Sequence, residues 1–324
     1  MAGDPSLNKN MLVDRFGRVI DYLRISVTDH CNLNCIYCRP RSQIEHLSHA
    51  EILRYEEILE IVEAARELGV KKFRITGGEP LVRRGLLGFL EKLKEIDLDF
   101  SLTTNGILVS DMVSDLSRAG LKKINISLDS LRADRFSRIT RGGELSRVLE
   151  GIEKSQKFFS AVKINTVVMA GINDDEIDDF VAMAFNRGLQ IRFIEFMDLF
   201  SGEDRFVSLK EIKKRLIAEW SLIPAASQGS GPSDNYTNAE GKAVVGFIAP
   251  RSEPFCCRCN RMRLTADGKL KVCLASAQKL DIKAALRNGA SREGLKALFQ
   301  EAAQQKSQGH NFKFDRMAMS SIGG

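Results

Sequence analysis

Lys123-Ile124-Asn125-Ile126-Ser127-Leu128-Asp129 alternates apolar and polar residues along its whole length. Period-two alternation identifies a β-strand, with Asn125, Ser127 and Asp129 on one face and Ile124, Ile126 and Leu128 on the other. A parallel strand buried on both faces should read as a nearly unbroken apolar run. The polar face therefore implies an edge strand in water or a sheet curled around a polar ligand. Two further strands decide between these. In Lys72–Thr76 the set Lys72, Arg74 and Thr76 alternates with Phe73 and Ile75, and Lys163 and Asn165 alternate with Val162 and Ile164. An edge explains one such strand and hardly three, so a polar lumen is predicted.

Outward from this stretch, strand-like and helix-like patterns alternate. Leu23–Val27, Lys71–Thr76, Phe100–Thr104, Lys123–Leu128, Val162–Met169 and Ile191–Met197 read as strands. Glu56–Leu68, Gly85–Ile96, Asp111–Ala119, Leu145–Phe159 and Asp175–Asn186 read as helices, several closed by a glycine. Such alternation builds a parallel sheet from right-handed crossovers. With the lumen, it predicts an α/β fold, an incomplete (β/α)6 TIM-like barrel spanning 12–200, with ligands at the C-terminal ends of the strands. Residues 201–324 form a C-terminal extension. It has helices at Ser208–Trp220, Asp281–Arg287 and Glu293–Gln305, a loop over Ala226–Gly241, and strands at Val244–Ile248 and Arg261–Leu274 turning at Asp267-Gly268. Ser6–Asn10 and Gln304–Asn311 read as loosely ordered polar stretches.

The chain has 324 residues, 44% hydrophobic and 28% charged, with a formal charge of +6. A mild basic excess suits anionic partners without choosing among them. No run of like charges marks a nucleic-acid tail, no stretch reaches membrane-span length, and Met1–Met11 lacks a signal-type apolar core. A cytoplasmic protein is expected, with no membrane and no nucleic acid as partner.

The 7 cysteines fall in two groups, Cys31, Cys35, Cys38 and Cys256, Cys257, Cys259, Cys273. In a reducing compartment such grouping argues for metal rather than disulfides. Cys31, Cys35 and Cys38 are spaced C-x3-C-x2-C directly after the first strand. A structural zinc wants four ligands, and no local fourth cysteine or histidine continues the pattern. A four-iron cluster held by three thiolates keeps one iron open for a non-protein ligand. Gly77-Gly78-Glu79-Pro80 ends the next strand, where glycine permits close backbone approach and a carboxylate can accept from an ammonium. In the second group, Cys256, Cys259 and Cys273 are spaced C-x2-C-x13-C, again leaving one position open. Cys257 is a possible fourth ligand, although neighbouring cysteines rarely share one metal. Arg261 and Arg263 lie on one face of the strand between these cysteines, and guanidiniums bind phosphate bidentately.

The loop Asp29-His30-Cys31-Asn32-Leu33-Asn34-Cys35-Ile36-Tyr37-Cys38 resembles the cluster loop of the radical S-adenosylmethionine superfamily. From about Asp14 to Gly324 the chain resembles the GTP 3′,8-cyclase family of molybdenum cofactor biosynthesis. That resemblance rests on Leu23–Asp29, Arg74–Pro80, Thr103–Gly106, Asn125–Asp129, Arg192–Met197, Cys259–Thr265 and Ile322-Gly323-Gly324. It implies two 4Fe-4S clusters, one on Cys31, Cys35 and Cys38 and one on Cys256, Cys259 and Cys273. It implies S-adenosylmethionine contacts at Tyr37, Gly78, Ser127 and Met197. It implies GTP contacts at Arg24, Arg74, Thr103, Lys163, Arg261 and Arg263, with Lys72 and Arg192 as further candidates. Gly323 and Gly324 are implied to enter the active site. The implied reaction is hydrogen abstraction from C3′ of the GTP ribose by a deoxyadenosyl radical, then closure on C8. No side chain is required as general base, and the implied partners are an external electron donor and the downstream cyclic pyranopterin monophosphate synthase. Arg39 follows Cys38 where the family usually has methionine, Cys257 falls where it has glycine, and the Asp198–Arg205 loop lacks its usual glycine-asparagine-tryptophan character. Two alternatives remain at this point: a radical enzyme with an auxiliary cluster acting on peptides, and a zinc-stabilised nucleic-acid-binding protein. The 7% aromatic content and the absence of paired C-x-x-C motifs disfavour the second.

Overall fold

Apolar residues at helical and strand spacing set the elements of the computed structural model, which describes residues 11–38, 46–198, 205–226 and 231–309. The first half runs β1 (Tyr22–Ser26), α1 (Tyr55–Glu67), β2 (Lys72–Thr76), α2 (Leu86–Glu95), β3 (Phe100–Thr104), α3 (Val109–Arg118) and β4 (Lys123–Ser127). It continues through α4 (Ala133–Thr140), α5 (Leu145–Phe158), β5 (Ala161–Val168), α6 (Ile177–Arg187) and β6 (Gln190–Glu195). Then come α7 (Leu209–Glu219), β7 (Ile223–Pro224), β8 (Asp234–Thr237), β9 (Val244–Ile248), β10 (Arg261–Leu264), β11 (Lys269–Lys271), β12 (Lys279–Asp281), α8 (Ile282–Arg287) and α9 (Arg292–Gln304). The α/β class with parallel strands expected from the alternation is the class observed.

The chain forms two compact units that interleave in sequence: Met1–Cys31, Gln43–Phe100 and Cys256–Gly324 in one, Asn32–Ser42 and Ser101–Phe255 in the other. In the first unit β1 lies between β2 and β10 and runs parallel to both. β10, β11 and β12 then follow as an antiparallel meander. Its core comes from both ends of the chain. α1 buries Ile58, Ile61, Val62, Ala64 and Ala65, and α9 buries Leu295, Phe299, Ala302 and Ala303. Ion pairs reinforce the junction: Arg287 reaches Glu57 at 2.8 Å, and Lys296 reaches Glu67 at 3.0 Å.

In the second unit β3, β4, β5, β6 and β9 are successive parallel neighbours, and β8 and β7 extend the far side antiparallel. β4 and β5 are therefore interior strands, which removes the water-facing edge as an explanation of their polar faces. Ile124, Ile126 and Leu128 are fully buried, and on the other face Asn125 and Asp129 are 5% and 3% exposed.

The structure departs from expectation in four places. α4 lies where no helix was read, because Ala133–Thr140 carries three arginine and aspartate charges around its short buried stripe of Phe136 and Ile139. β8 lies inside the expected Ala226–Gly241 loop, since pairing with the edge of β9 overrides its polar composition. The hairpin expected over Arg261–Leu274 with its turn at Asp267-Gly268 is observed as β10–β11, and the departure is β12, an unexpected strand added beyond it. Gln304 closes α9 and Lys306 is buried, so the start of the expected loose stretch Gln304–Asn311 is ordered. Residues 310–311 of that stretch, with Ser6–Asn10, lie outside the described residues.

Candidate functional site

In the first unit the register of the parallel strands aligns cations in rows. Arg263, Arg24 and Arg74 are lateral partners across β10, β1 and β2, and Arg261, Tyr22 and Lys72 form the row behind them. In-register neighbours of parallel strands share a face, so five basic residues and one phenol line one side of three strands. The Tyr22 hydroxyl hydrogen-bonds with Nε of Arg74, whose guanidinium also lies 5.7 Å from the Tyr22 ring centroid. Burial and the like charges of Arg263, Arg74 and Arg261 pull Arg24 well below the ordinary guanidinium range. Burial, then Arg261, brings Arg263 down to about 10. The row thus holds its positive charge against both desolvation and mutual repulsion, a state that an anion relieves.

The thiols of Cys256, Cys259 and Cys273 sit close enough to influence one another. Burial, then Cys273 and Cys259, pushes the Cys256 thiol up. Burial would also raise Cys259, but Arg261 and Lys306 outweigh it and bring this thiol down to about 7. Cys259 N–H donates to the Cys256 carbonyl at 3.2 Å, closing the turn that carries both. Three soft sulfur donors, one readily ionised and all beside cations, fit an anionic iron–sulfur cluster. Cys257 is exposed, whereas Cys256, Cys259 and Cys273 are partly buried.

Gly77-Gly78-Glu79-Pro80 follows β2 in the same unit. Gly78 N–H donates to the Thr28 carbonyl at 2.6 Å and Glu79 N–H to the His30 carbonyl at 2.7 Å. A Cβ on Gly78 would stand 2.3 Å from the His30 oxygen and 2.6 Å from the Asp29 oxygen. The glycine is thus required for the motif to lie against the backbone that enters the cysteine loop. Glu79 is fully buried and accepts from Leu81 N–H at 3.0 Å.

In the second unit the loop after Cys31 is anchored by backbone bonds from Asn34 to Thr140 (3.1 Å) and from Ile36 to Ile139 (2.9 Å). Tyr37 rests on a buried cluster of Ile139, Met169 and Phe196. Its hydroxyl donates to Asp129 Oδ2 at 2.7 Å, and Val167 N–H donates to Asp129 Oδ1 at 2.8 Å. Burial raises Asp129 to about 6 against these two hydrogen bonds. Burial, then Asp129 and the thiols of Cys35 and Cys38, pushes Tyr37 well above the usual phenol range. The aromatic between the two cysteines thus acts at least as an anchor of their turn, in which Cys38 N–H donates to the Cys35 carbonyl at 3.0 Å.

Register organises the polar face of this unit as well. Thr103, Asn125 and Lys163 form one row, and Asn125 Nδ2 donates to Thr103 Oγ1 at 3.3 Å. Ser127, Asn165, Arg192 and Gly246 form another, nearer the strand C-termini. Arg192 is buried beside Gly246, where a Cβ would stand 3.0 Å from its Cγ. Met197 is partly buried just past β6. Arg39, Gly323, Gly324 and most of the Asp198–Arg205 loop lie outside the described residues.

Tyr22, Arg18, Asp129 and Lys306 were not read as site residues from the sequence. Tyr22 was findable, standing two residues before Arg24 and so on its face. Asp129 was visible in the alternation without a role. Arg18 and Lys306 carry no local signal.

The chain matches the Radical SAM superfamily model over residues 25–184 and the Molybdenum Cofactor Synthesis C model over residues 189–312. A GTP 3′,8-cyclase of Petrotoga mobilis is 46% identical over 97% of this chain and 100% of its own length. One of Thermodesulfovibrio yellowstonii is 47% identical over 96% and 99%. Among solved structures, Streptococcus suis SuiB bound to S-adenosylmethionine superposes with a TM-score of 0.62 over 95% of this chain and 77% of its own. At 13% identity that likeness bears on the fold alone.

Proposed function

Because the chain belongs to the GTP 3′,8-cyclase family of radical S-adenosylmethionine enzymes, we propose the following roles for its own residues. The enzyme converts GTP to (8S)-3′,8-cyclo-7,8-dihydroguanosine 5′-triphosphate, the first step of molybdenum cofactor biosynthesis, with two 4Fe-4S clusters and S-adenosylmethionine as cofactors. Family membership sets aside the peptide-modifying and zinc-binding readings.

When bound, the reduced cluster and S-adenosylmethionine supply the one-electron chemistry, and the protein binds, orients and excludes water. Cys31, Cys35 and Cys38 hold the first cluster. Gly78, Tyr37, Ser127 and Met197 belong to the S-adenosylmethionine contacts, Tyr37 by orienting the loop through Asp129. Cys256, Cys259 and Cys273 hold the second cluster, with Cys257 outside the ligand set. Arg24, Arg74, Arg261 and Arg263 take the phosphates and ribose of GTP, Thr103 and Lys163 are further GTP contacts, and Lys72 and Arg192 are additional candidates. The catalytic apparatus is thus assigned to 12–200, and the second cluster with part of the GTP site to 201–324. The observation that carries this reading is the row Arg263–Arg24–Arg74, backed by Arg261, beside the thiols of Cys256, Cys259 and Cys273. Crowded guanidiniums next to sulfur donors suit a triphosphate next to a cluster better than they suit a peptide.

We also propose a cytoplasmic enzyme that draws electrons from an external donor and passes its product to cyclic pyranopterin monophosphate synthase. No described helix is long and apolar enough to cross a membrane. The test is anaerobic reconstitution with iron and sulfide, then incubation with S-adenosylmethionine, reductant and GTP. About eight irons per chain, as two four-iron clusters require, 5′-deoxyadenosine and a GTP isomer are expected. Deoxyadenosine without a GTP isomer would overturn the substrate assignment.

A further inference from the structure

Lys306 follows α9 by two residues and is only 2% exposed. Burying an ammonium is costly unless each N–H finds an acceptor and the charge finds a counter-charge. Lys306 Nζ donates to the Val272 carbonyl at 3.0 Å, the Arg261 carbonyl at 3.1 Å and Cys259 Sγ at 3.4 Å. Its three donors are used, and among the described residues they go to two carbonyls and a sulfur.

The next two residues are held from the other side. Arg18 donates from Nη2 to the Ser307 carbonyl at 2.7 Å, and from Nη1 to the Cys256 carbonyl at 2.6 Å and the Gln308 carbonyl at 3.4 Å. Its Nε pairs with Asp14 Oδ2 at 2.6 Å, where both side chains are nearly buried, at 8% and 0% exposure. Asp14 Oδ1 in turn accepts the N–H of Phe16 and of Arg18, so the clamp stands on a closed N-terminal turn. Residues 306–308 are thereby fastened to the Cys256–Cys259 turn through its sulfur and its backbone.

We infer that Lys306 and Arg18 are positioning residues of the second cluster, which join its cysteine turn to the root of the C-terminal segment so that cluster loading and ordering of residues 305–309 are one event. The inference rests on reading Cys256, Cys259 and Cys273 as ligands. Lys306 neutralises and hydrogen-bonds a ligating sulfur, which favours an extra electron on the cluster. Arg18 holds the neighbouring ligand through its carbonyl and ties residues 307 and 308 to it.

The full-length chain, reconstituted anaerobically, tests this in two arms. In the first, the midpoint potential and electron paramagnetic resonance signal of the second cluster are read in a Cys31→Ser, Cys35→Ser, Cys38→Ser background, where no other cluster contributes. Lys306→Met should shift the potential downward and alter the signal, and Lys306→Arg should restore part of the shift. An unchanged potential and signal in Lys306→Met would overturn the inference. The second arm needs no substitution: hydrogen exchange at residues 305–309 is compared in cluster-loaded and chelator-stripped protein. Exchange should quicken at least tenfold on stripping, and equal protection in both states would overturn the inference even where Lys306→Met does not fold. Failure of the ligand reading looks different, because Cys259→Ser would then keep the second cluster's iron and signal.

Discussion

The site is built at the scale of single residues by charges that the fold forces together. Arg24 faces Arg74 and Arg263 in register, with Arg261 one step behind, and burial, then the nearby guanidiniums, weakens its hold on its proton. A phosphate placed there relieves that repulsion, so each arginine should matter to GTP affinity beyond its own hydrogen bonds. Arg24→Ala, Arg74→Ala and Arg263→Ala are each expected to weaken anaerobic GTP binding by about tenfold to a hundredfold, the effect of losing roughly 1.5–3 kcal/mol, while iron content stays intact. Unaltered affinity in all three would remove these residues from the site. Asp129 makes a second residue-level prediction, in pH. Its folded-state pKa of about 6 stands above the ordinary 3.8, so the folded chain binds this proton more tightly than the unfolded chain. Between those values its contribution to stability falls as pH rises, and it is level above about 6. Denaturant titrations of the wild type and Asp129→Asn should therefore diverge across that window and run parallel above it; parallel curves throughout would refute the shift. Arg74, and Arg261 with Arg263, were legible in the sequence because strand parity assigns each to a polar face, whereas Arg24 came only from the family resemblance. The Tyr37–Asp129 bond was not, since 92 residues separate its partners and neither carries a pattern that points to the other.

Elements were legible where apolar period and a stop signal agreed. α5 and β3 begin where the sequence placed them, and β2, β4 and β6 lie within a residue or two of expectation, because each has a clean alternation or helical stripe. β8 was hidden: Asp234–Thr237 is mostly polar, and it becomes a strand through pairing with β9 and the contact of Tyr236 with Phe247. Gly246 is the residue that permits this pairing. A Cβ there would stand 2.3 Å from Ser233 Oγ, 2.8 Å from Asn235 Oδ1 and 3.0 Å from Arg192 Cγ. Gly246→Ala should therefore destabilise the chain by about 1–3 kcal/mol, the usual cost of overpacking, and displace Arg192. Adding Ser233→Gly removes the nearest clash and should recover part of the loss in thermal or denaturant unfolding. A single variant as stable as wild type would show that β8 moves aside freely. Gly78→Ala belongs to the same class with a different readout. Its Cβ meets backbone oxygens of Asp29 and His30, which cannot rotate away, so deoxyadenosine formation should drop at least tenfold while the second cluster loads normally. Normal cleavage in that variant would free the motif from the cysteine loop.

At the scale of the whole molecule, short motifs identified the family, while the interleaving of the chain escaped the sequence. Gly-Gly-Glu-Pro and the two cysteine spacings are local, so they survive as text. The joining of residues 256–309 to the N-terminal strands is non-local, and it appears only when β10 takes its place beside β1 and α9 closes over α1. One consequence concerns Gly323 and Gly324, which the resemblance implies at the active site. An ordinary chain end frays and can be trimmed at no cost. Here residues 306–308 are held by Cys259 and Arg18, which ties this point of the chain to the second cysteine group. Glycines carried from such a point can bring bare backbone close to a substrate, where a side chain would not fit. Deleting Gly323 and Gly324 should leave iron content, S-adenosylmethionine cleavage and thermal stability unchanged and lower the yield of cyclised GTP at least tenfold. A synthetic peptide of the last residues, ending in Ile322-Gly323-Gly324, should recover part of that yield when added back. Full product from the trimmed enzyme would return both glycines to the standing of a frayed end.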